Sequence, residues 1–378
     1  MKKNKIGLVT IHRANNYGAF LQTFATQEVL KKYGDVEIVD YVNKKLESSF
    51  DLIRYNGFNI KSIMGATKDI LRLVPRVKVI NSFIEDINCK YNLSERVNHC
   101  DLYEYAKNKE YTHVFCGSDQ IWNPVCVSVD NNLNDYYLLN FISDDTLKIS
   151  YASSMGDYKL DVYNSNIIFN ELSTFDAISV REKERKNEIN KITGKDVVHV
   201  LDPTLLLNRS DWLERFCNIS SRVKKLSKNK YILFYSVPKV SKTRELLSKV
   251  YSLLGFDIIS IDQDIYPYYK ANHKVRDCSI EEFIHLFNNA SFVVTDSFHG
   301  VCFSIIFRKS FYTTSPGKLS NRIVSLLETL GLESRIINDI LNLTSISHVD
   351  YDTKLELKIK NEISKSKKFI EKAITTNG

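Results

Sequence analysis

Residues 293–300 have the sequence Val293-Val294-Thr295-Asp296-Ser297-Phe298-His299-Gly300 and indicate the fold class most clearly. They predict a short buried strand, a sharp polar turn, and a helix that begins near His299 and runs to Phe307. A strand that leads directly into a helix places its turn at the carboxyl edge of a sheet, where open α/β proteins bind ligands. The helix N-terminus favours an anion there, and a histidine transfers protons near neutral pH. The alternative is a core strand whose histidine only hydrogen-bonds the turn.

The beginning of the chain shows the same strand-to-helix pattern. An apolar strand at 5–11 is followed by a polar break, a helix that Gly34 ends, and a second strand at 37–41. Such β-α-β units form parallel sheets with right-handed connections. The break contains the turn residues Asn16 and Gly18. A ligand-binding loop and a plain turn between strand and helix are equally supported by this segment.

Two further predicted strands end in polar residues. The strand at 112–116 is followed by a turn with Asp119 and Trp122, which suits a sugar because a carboxylate binds hydroxyl groups and an indole covers the ring face. A structural turn with a core tryptophan is equally supported. Arg181 follows the strand at 175–180, where an arginine can hold a phosphate or a carboxylate through two parallel hydrogen bonds. It can equally pair with a nearby carboxylate of the chain.

The second half of the chain restarts the alternation of strands and helices with a strand at 230–237. A polar, basic stretch precedes it, so we place a domain boundary within 205–229. The predicted domains are therefore 1–210 and 225–378. The predicted fold class is α/β, with two Rossmann-like domains and a ligand cleft between them.

Composition limits the classes of protein that the chain can represent. The chain has 378 residues, a net charge of +7 and seven cysteines. The absence of any Cys-x-x-Cys pair argues against a zinc site or a disulfide framework, and suits the cytoplasm. The charge suits anionic ligands, and no nucleic-acid-binding motif accompanies it. No stretch approaches the roughly 20 apolar residues of a membrane span. Residues 61–78 are basic and amphipathic, which is typical of a solvated helix face or of peripheral membrane contact.

Six motifs in the same order resemble the polysaccharide pyruvyl transferase family. They span most of the chain and are Asn16-Tyr17-Gly18-Ala19-Phe20-Leu21-Gln22, Gly117-Ser118-Asp119-Gln120-Ile121-Trp122-Asn123-Pro124, Ile149-Ser150-Tyr151-Ala152-Ser153, Ile178-Ser179-Val180-Arg181-Glu182-Lys183, Leu201-Asp202-Pro203-Thr204 and Thr295-Asp296-Ser297-Phe298-His299-Gly300. The resemblance implies a GT-B-like fold of two Rossmann domains. It also implies transfer of a pyruvyl group from phosphoenolpyruvate to sugar hydroxyls, usually as a cyclic ketal on a surface polysaccharide or its lipid-linked precursor.

The resemblance also suggests roles for particular residues. His299 matches the family's histidine, whereas some members have Arg-Leu-His where this chain has Ser297-Phe298-His299. Arg181 matches another anion-binding arginine of the family, and Lys318 matches a lysine by its spacing after His299. The expected catalytic residues are His299, Arg181 and Lys318. The expected donor-binding residues are Asp296, Ser297, Gly300 and Arg322. The expected acceptor-binding residues, on the first domain, are Asn16, Tyr17, Gly18, Ser118, Asp119 and Trp122.

The expected chemistry uses phosphoenolpyruvate as a donor substrate and needs neither a metal nor a bound cofactor. The expected partner is a saccharide or a lipid-linked saccharide, and the expected location is the cytoplasm, with peripheral membrane contact as a hypothesis and no role for nucleic acid. Two other functions are compatible with the same scaffold. One is a glycosyltransferase that uses a nucleotide sugar, and the other is a non-catalytic glycan-binding protein.

Overall fold

The computed structural model describes residues 3–54, 57, 60–237, 239–314 and 321–375, apart from the side chains of Lys61 and Asn321. Its strands are β1 (Asn4–Val9), β2 (Gly34–Tyr41), β3 (Leu93–Val97), β4 (His113–Cys116), β5 (Leu147–Ser153), β6 (Ala177–Val180), β7 (Val197–His199), β8 (Tyr231–Tyr235), β9 (Asp257–Ile261), β10 (His273–Val275), β11 (Phe292–Thr295) and β12 (Phe311–Thr313). Its α-helices are α1 (Tyr17–Leu30), α2 (Lys44–Glu47), α3 (Ile60–Leu71), α4 (Leu73–Lys90), α5 (Leu102–Lys109), α6 (Pro124–Val127), α7 (Val162–Leu172), α8 (Lys183–Thr193), α9 (Arg209–Arg215), α10 (Ser221–Leu226), α11 (Ser241–Leu254), α12 (Ile280–Asn289), α13 (Phe298–Ile306), α14 (Asn321–Leu330) and α15 (Thr353–Thr375).

The first seven strands form one parallel sheet in the order β3-β2-β1-β4-β5-β6-β7. Chain order reverses between β1 and β4, which makes their carboxyl ends the switch point where such sheets bind ligands. The two ends are joined directly, because Thr10 Oγ1 donates a hydrogen bond to the Ser118 carbonyl at 3.0 Å. The polar breaks after β1 and β4 therefore meet at one edge, as their positions in the sequence predict.

The remaining strands form a second parallel sheet in the order β10-β9-β8-β11-β12. Its order reverses between β8 and β11, and Thr295 is in register with Tyr235. The residues that follow them, Asp296 and Ser236, consequently lie side by side at the second switch point. The predicted α/β fold class with two parallel sheets is confirmed, and so is the strand-turn-helix prediction at 293–300, with α13 beginning at Phe298.

The chain divides into two compact units, and neither is continuous in sequence. The first comprises Met1–Ser49, Asp86–Leu207 and Lys358–Gly378, and the second comprises Phe50–Glu85 and Asn208–Leu357. This division differs from the predicted domains 1–210 and 225–378 in two segments. Residues 50–85 belong to the second unit, and the C-terminal segment from Lys358 returns to the first.

Specific contacts explain why each of these two segments belongs to a different unit from the one predicted. In the first unit, the Leu201 backbone N–H donates to Ser366 Oγ at 2.9 Å. The ring of Phe369 lies 6.3 Å from that of Tyr151, so α15 covers the seven-stranded sheet. In the second unit, Arg72 pairs with Asp264 at 3.5 Å and Lys78 pairs with Asp277 at 3.1 Å, so residues 50–85 pack where these carboxylates lie. Each contact links residues roughly 165 to 220 positions apart, which no local pattern reports.

Helix α13 is the central helix of the second unit. Every residue from Phe298 to Ile306 is buried. The ring of Phe303 lies 5.1 Å from Trp212 and 5.7 Å from Phe283, both in edge-to-face contact. A helix that is apolar on all sides is enclosed by the core. The core therefore fixes α13, and its N-terminus is held rigidly at the carboxyl edge of the sheet.

Candidate functional site

The first candidate site lies at the carboxyl edge of the five-stranded sheet, where β8 and β11 end side by side. The carboxylate of Asp296 accepts hydrogen bonds from Ser236 Oγ at 2.7 Å and from the Val237 backbone N–H at 2.9 Å. It accepts a third from Thr243 Oγ1, in the first turn of α11, at 3.1 Å. Asp296 thus joins the segments that follow the two strands. Its position favours a role in holding this edge together over direct contact with an anionic donor.

Hydroxyl groups surround the Asp296 carboxylate. Thr243 Oγ1 lies 2.7 Å from Thr314 Oγ1, and Ser236 Oγ lies 2.8 Å from the Tyr268 hydroxyl. Burial raises the pKa of Asp296 above its ordinary value, and its hydrogen bonds oppose that rise only in part. Burial likewise raises the pKa of Tyr268 to about 12. The edge is therefore built from neutral donors, which leaves room for an anion to be bound by other groups.

Helix α13 begins at this edge with Ser297 as its N-cap. Ser297 Oγ accepts a hydrogen bond from the Gly300 N–H at 3.3 Å. His299 lies in the first helical turn and is 7% exposed, with its ring edge-to-face on Phe298 at 5.2 Å. The N–H groups of a first turn and the helix dipole favour a bound anion. The structure therefore places an imidazole in the first turn of a helix at a sheet edge, while Ser297 serves as the cap, and anion binding there stays a prediction.

Gly300 is required by the packing of this turn. A Cβ atom at this position would lie 2.3 Å from Thr295 Oγ1 and 3.1 Å from Thr295 Cβ. Thr295 cannot move away easily, because its hydroxyl donates to the Tyr235 carbonyl at 2.6 Å and accepts from the Ser297 N–H at 3.1 Å. Glycine thus lets α13 start immediately after β11. This close approach gives Gly300 a structural reason that is independent of donor binding.

Of the two cations predicted to bind the donor at this edge, the structure describes only Arg322. Arg322 is at the start of α14 and half-buried, with its guanidinium carbon 5.8 Å from the ring centre of Phe298. Because Phe298 precedes His299 in α13, this contact brings a positive charge to the start of that helix. Lys318 lies outside the described residues, and its role stays a prediction.

The second candidate site lies at the carboxyl edge of the seven-stranded sheet and contains the buried Arg181. Its NH1 group donates to Asp202 Oδ2 at 2.7 Å, and its NH2 group lies 3.7 Å from Asp119 Oδ1. Its Nε lies 4.0 Å from a carboxylate oxygen of Glu182. Ser118 Oγ also donates to Asp202, at 2.9 Å. Carboxylates of the chain already neutralise the guanidinium. Of the two predicted roles for Arg181, the structure favours pairing with nearby carboxylates over binding a phosphate.

Two predicted acceptor residues of this unit have no exposed surface. Trp122 is fully buried, its indole N–H donates to the Tyr137 carbonyl at 3.1 Å, and its ring meets Phe175 edge-on at 6.5 Å. It therefore offers no ring face to a sugar. It is the core tryptophan of a structural turn, which was the alternative prediction for this motif. Ser118 is also fully buried, within the Arg181 cluster. The sequence pattern gave the right strand end but could not distinguish a lining side chain from a packed one.

Asp119 differs from these two because it is partly exposed and has a left-handed backbone with φ of 78°. Its carboxylate accepts from the Gln120 N–H at 2.9 Å, and its backbone carbonyl accepts from the Ser154 N–H at 3.0 Å. A left-handed backbone costs an aspartate of order 1–3 kcal/mol. Such strain persists where surrounding contacts impose it, and it often marks a binding site. Asp119 therefore remains a candidate acceptor ligand.

The loop after β1 is also partly accessible. Asn16 caps α1, and its Oδ1 accepts from the Gly18 N–H at 2.9 Å and the Ala19 N–H at 3.3 Å. Its side-chain oxygen is therefore engaged by the helix end. Asn16 is exposed, Tyr17 is half-buried and Gly18 is buried. Asn16 and Tyr17 can face a ligand from this loop, whereas Gly18 contributes backbone only.

A further polar cluster at this edge was not predicted. Arg13 Nε and NH2 donate to the two Asp40 carboxylate oxygens, each at 2.6 Å, and His12 Nε2 lies 3.0 Å from Asp40 Oδ1. Burial favours the neutral acid, but the bonds from Arg13 and His12 hold the pKa of Asp40 well below its ordinary value. The residues follow β1 and end β2. Because His12 and Arg13 follow β1 and Asp40 lies at the end of the neighbouring β2, their positions in the sequence could have predicted this contact.

Metal-ligand clusters and membrane-spanning helices are both absent from the described residues. Within these residues, no group of three or more histidine, cysteine, aspartate or glutamate side chains is arranged to hold a metal ion. In the same part of the chain, none of the helices has the length and apolarity needed to cross a membrane.

Comparison with protein families gives the relationship of the chain. The family model for polysaccharide pyruvyl transferases matches residues 16–316, which is most of the sequence. The chain belongs to the polysaccharide pyruvyl transferase family. The matched segment begins at Asn16, includes the ends of β4, β8 and β11, and contains His299 close to its end. No curated protein matches the chain.

Solved structures with a related fold include two sugar-nucleotide enzymes. The UDP-GlcNAc 2-epimerase from Neisseria meningitidis bound to UDP-GlcNAc has a TM-score of 0.55 at 11% identity, over 99% of this chain and 100% of that chain. Another UDP-N-acetylglucosamine 2-epimerase has a TM-score of 0.51 at 13% identity, over 98% and 95% of the two chains. At such identities the likeness shows the fold alone. It places this family member among proteins of the GT-B fold.

Proposed function

We propose that this protein transfers a pyruvyl group from phosphoenolpyruvate to paired hydroxyls of a sugar, forming a cyclic ketal on a surface polysaccharide or its lipid-linked precursor. One observation carries the proposal. The family's histidine, His299, lies in the first turn of α13 at the switch point of the five-stranded sheet. Membership of the family supports the reaction class, and this placement supplies the group that the reaction needs.

The donor chemistry fits the second unit better than the first. Phosphoenolpyruvate carries a phosphate and a carboxylate, so its site needs several positive groups. Helices α11 and α13 both begin at the edge where β8 and β11 end. Arg322 adds a guanidinium beside Phe298, and we assign Lys318 to the same anion by its position in the sequence. In the first unit, by contrast, Arg181 is occupied by its own carboxylates.

The proposed steps use His299 as the acid and base. Protonation of the donor's methylene carbon makes the adjacent carbon electrophilic, and the first sugar hydroxyl adds to it and loses its proton. The bond to the phosphate oxygen then breaks, and the resulting oxocarbenium ion is attacked by the second hydroxyl. The second proton leaves with the phosphate, so the products are the ketal and inorganic phosphate. A general acid–base of this kind contributes about 10²–10⁴ in rate.

The acceptor is assigned to the first unit. Asn16, Tyr17 and Asp119 are the predicted residues of that unit that keep exposed or half-buried side chains. Carboxylate, phenol and amide groups bind sugar hydroxyls through hydrogen bonds, and none of these three side chains carries a positive charge that would attract a second phosphate. Ser118 and Trp122 instead support the acceptor loop from within the core.

The donor is tested by a thermal-shift titration with phosphoenolpyruvate and, separately, with nucleotides and nucleotide sugars. A ligand at about 100 times its dissociation constant stabilises the folded state by about 2.7 kcal/mol, which is a measurable shift in Tm. We expect phosphoenolpyruvate to produce this shift and Arg322→Ala to weaken it. Arg222→Ala is the matched control, because Arg222 is an exposed arginine of the same unit that pairs with Asp277.

The other outcomes point to the competing functions. A shift with one nucleotide sugar and none with phosphoenolpyruvate would support a glycosyltransferase. Saccharide binding without release of phosphate from phosphoenolpyruvate, over a panel of methyl glycosides with paired hydroxyls, would support a glycan-binding protein. Either result would overturn pyruvyl transfer.

A further inference from the structure

Helix α3 and the start of α4 expose an apolar stripe on the second unit. Its members recur at helical spacing and are Ile60, Ile63, Met64, Ile70, Leu71 and Val74. All six are exposed, from 48% for Ile63 to 77% for Ile60. We call these six residues the 60–74 stripe. Single exposed apolar residues are ordinary, but six on one helical face are a contiguous apolar surface, which marks an interaction site.

The polar side of α3 faces inward, which is the reverse of an ordinary surface helix. Asp69 is fully buried, and Arg54 donates to it through Nε at 3.0 Å and NH2 at 2.8 Å. Arg72 lies between Asp69, at 3.4 Å, and Asp264, at 3.5 Å. Arg76 is buried as well and donates through Nε to the Asp51 carbonyl at 3.0 Å. Ion pairs within the second unit therefore fix the orientation in which the stripe faces outward.

The segment that precedes α3 extends this surface. Leu52 and Ile53 are 45% and 44% exposed. They lie directly before Arg54, whose backbone N–H also donates to Asp69 Oδ2 at 3.1 Å. The buried Asp69 therefore holds both α3 and the segment that precedes it. The exposed apolar side chains of both are thus positioned by the same Arg54–Asp69 ion pair.

The charged residues of this segment indicate which kind of surface the stripe binds. Between residues 60 and 84 the sequence has five cations, Lys61, Lys68, Arg72, Arg76 and Lys78, and a single carboxylate, Asp69. That carboxylate is buried against arginines, whereas Lys68 is exposed, and Lys78 is exposed while pairing with Asp277 at 3.1 Å. The outer surface of this segment, Lys61's undescribed side chain aside, consequently presents apolar groups and ammonium groups without an exposed carboxylate.

Apolar side chains flanked by ammonium groups suit the interface of an anionic bilayer. The apolar groups enter the boundary between headgroups and acyl chains, and the lysines stay at the level of the phosphates. A second copy of the chain is less suitable, because a two-fold contact would set the same cations against each other. We propose that the 60–74 stripe is a membrane-docking face that binds an anionic lipid surface.

Docking by this face does not depend on the reaction. If the acceptor is a lipid-linked saccharide, as one form of the proposed function has it, the face would hold the protein at the surface where that acceptor lies. Vesicle binding needs neither donor nor acceptor. Phosphate release with soluble glycosides needs no vesicle. The two ideas can therefore fail separately.

The test is co-sedimentation of the full chain with vesicles of phosphatidylcholine alone and of phosphatidylcholine mixed with phosphatidylglycerol. The stripe variant combines four substitutions of exposed side chains, Ile60→Gln, Met64→Gln, Ile70→Gln and Val74→Gln. The matched control replaces four exposed apolar residues elsewhere, Val129→Gln, Val162→Gln, Leu341→Gln and Leu357→Gln. Circular dichroism and thermal unfolding confirm that each variant is folded.

We expect the parent protein to sediment with the mixed vesicles more than with the neutral ones, and less at high salt. The stripe variant should partition at least about tenfold more weakly, because each buried apolar side chain contributes to binding. The control should bind like the parent. Lys68→Gln alone should weaken partition by about fivefold, the effect of one cation near an anionic surface.

Three results would overturn the proposal. The parent protein could remain in the supernatant with both kinds of vesicle. The stripe variant could bind as tightly as the parent. Finally, sedimentation velocity could show a dimer that the stripe variant converts to a monomer while no vesicle binding is seen, which would assign the stripe to a second copy of the chain.

Discussion

The two sheets of this protein end in different chemistry, although both are parallel and both reverse their order beside a predicted motif. At the edge of the seven-stranded sheet, the buried Arg181 is surrounded by Asp119, Glu182 and Asp202. At the edge of the five-stranded sheet, the buried Asp296 is surrounded by hydroxyl and amide donors, with a helix N-terminus and His299 next to it. One edge has its charges neutralised internally, and the other surrounds its carboxylate with uncharged donors beside a helix N-terminus.

This difference indicates which of the two sheet edges is better suited to bind an anion. A cation inside a cluster of carboxylates gains little from a further anion, because the local charge is already negative or neutral. A helix N-terminus offers N–H groups that no residue of the helix accepts. The equivalent positions of the two sheets therefore favour an uncharged ligand at the first edge and an anion at the second, which is the arrangement that the proposed function uses.

Replacement of His299 should have the largest effect on activity. A small effect would contradict the contrast between the two sheet edges. In His299→Ala we expect phosphate release from phosphoenolpyruvate, in the presence of an active acceptor, to fall by about 10²–10⁴ because the acid–base group is lost. His273→Ala, a half-exposed histidine in β10 of the same unit, is the control and should retain full turnover. Near-normal turnover in His299→Ala would remove the assignment of catalysis to the second edge.

The Arg181 cluster should show its role in stability. Arg181→Met leaves carboxylates buried without their cation, which is expected to cost about 3–5 kcal/mol in the free energy of unfolding. Arg322→Met should change that free energy by less than about 1 kcal/mol while weakening phosphoenolpyruvate binding. Urea unfolding and the thermal-shift titration measure the two quantities. The opposite pattern, a stable Arg181→Met protein that no longer binds the donor, would exchange the roles of the two edges.

The surroundings of the first edge can be tested by pH. His199 ends β7, and its pKa is lowered to about 4, first by burial and then by the positive charges of Lys365 and Lys183. In the unfolded chain a histidine has a pKa of about 6.5. As the pH falls from about 6.5 to about 4, the unfolded state takes up a proton and the folded state does not. The free energy of unfolding should fall by roughly 3 kcal/mol over this window.

His199→Asn should remove that part of the pH dependence. Urea unfolding of both proteins at several pH values between about 4 and about 7 measures the difference. An unchanged pH profile in the variant would mean that His199 is not held neutral, and that the first edge is less enclosed than its burial indicates.

A pair of helix glycines gives the smallest expected effect. Gly300→Ala forces a Cβ atom against Thr295, whose hydroxyl is fixed by two hydrogen bonds, and overpacking of this kind costs typically about 1–3 kcal/mol. Gly65→Ala in α3 meets nothing within 4 Å and should stabilise the protein by roughly 0.5–1 kcal/mol. Thermal unfolding of both variants should give shifts of opposite sign. Equal shifts would show that the second edge adapts rather than holding α13 rigidly.

Local sequence patterns were sufficient for several strands and for their polar ends, whereas β3 and β10 were not predicted. Apolar runs followed by polar turns placed β1, β4, β8 and β11 before their loops, and parallel pairing then brings those loops together. Gly34 was predicted to end the first helix, but it begins β2, and α1 ends at Leu30. This is a shift of a few residues that leaves the topology unchanged.

Burial and long-range pairing were not accessible in the same way. The motif with Ser118 and Trp122 looked like a sugar-binding turn, but both side chains pack inward. Arg181 and Asp202 are 21 positions apart, and Arg13 and Asp40 are 27 apart, so their pairing depends on sheet order rather than on local spacing. The inverted orientation of α3 is another case, because amphipathic spacing alone does not say which side of a helix faces the protein.

The return of α15 to the first unit has a practical consequence for gene design. The chain passes from one unit to the other after residues 49, 85, 207 and 357. A cut at 208 would remove α15 from Leu201 and Tyr151 and leave the buried side chains of Ile370 and Ile374 without their packing. A gene that joins residues 50–85 to 208–357 therefore keeps together every segment of the unit that carries the His299 edge. One that encodes 1–49, 86–207 and 358–378 in the same manner should yield the Arg181 edge.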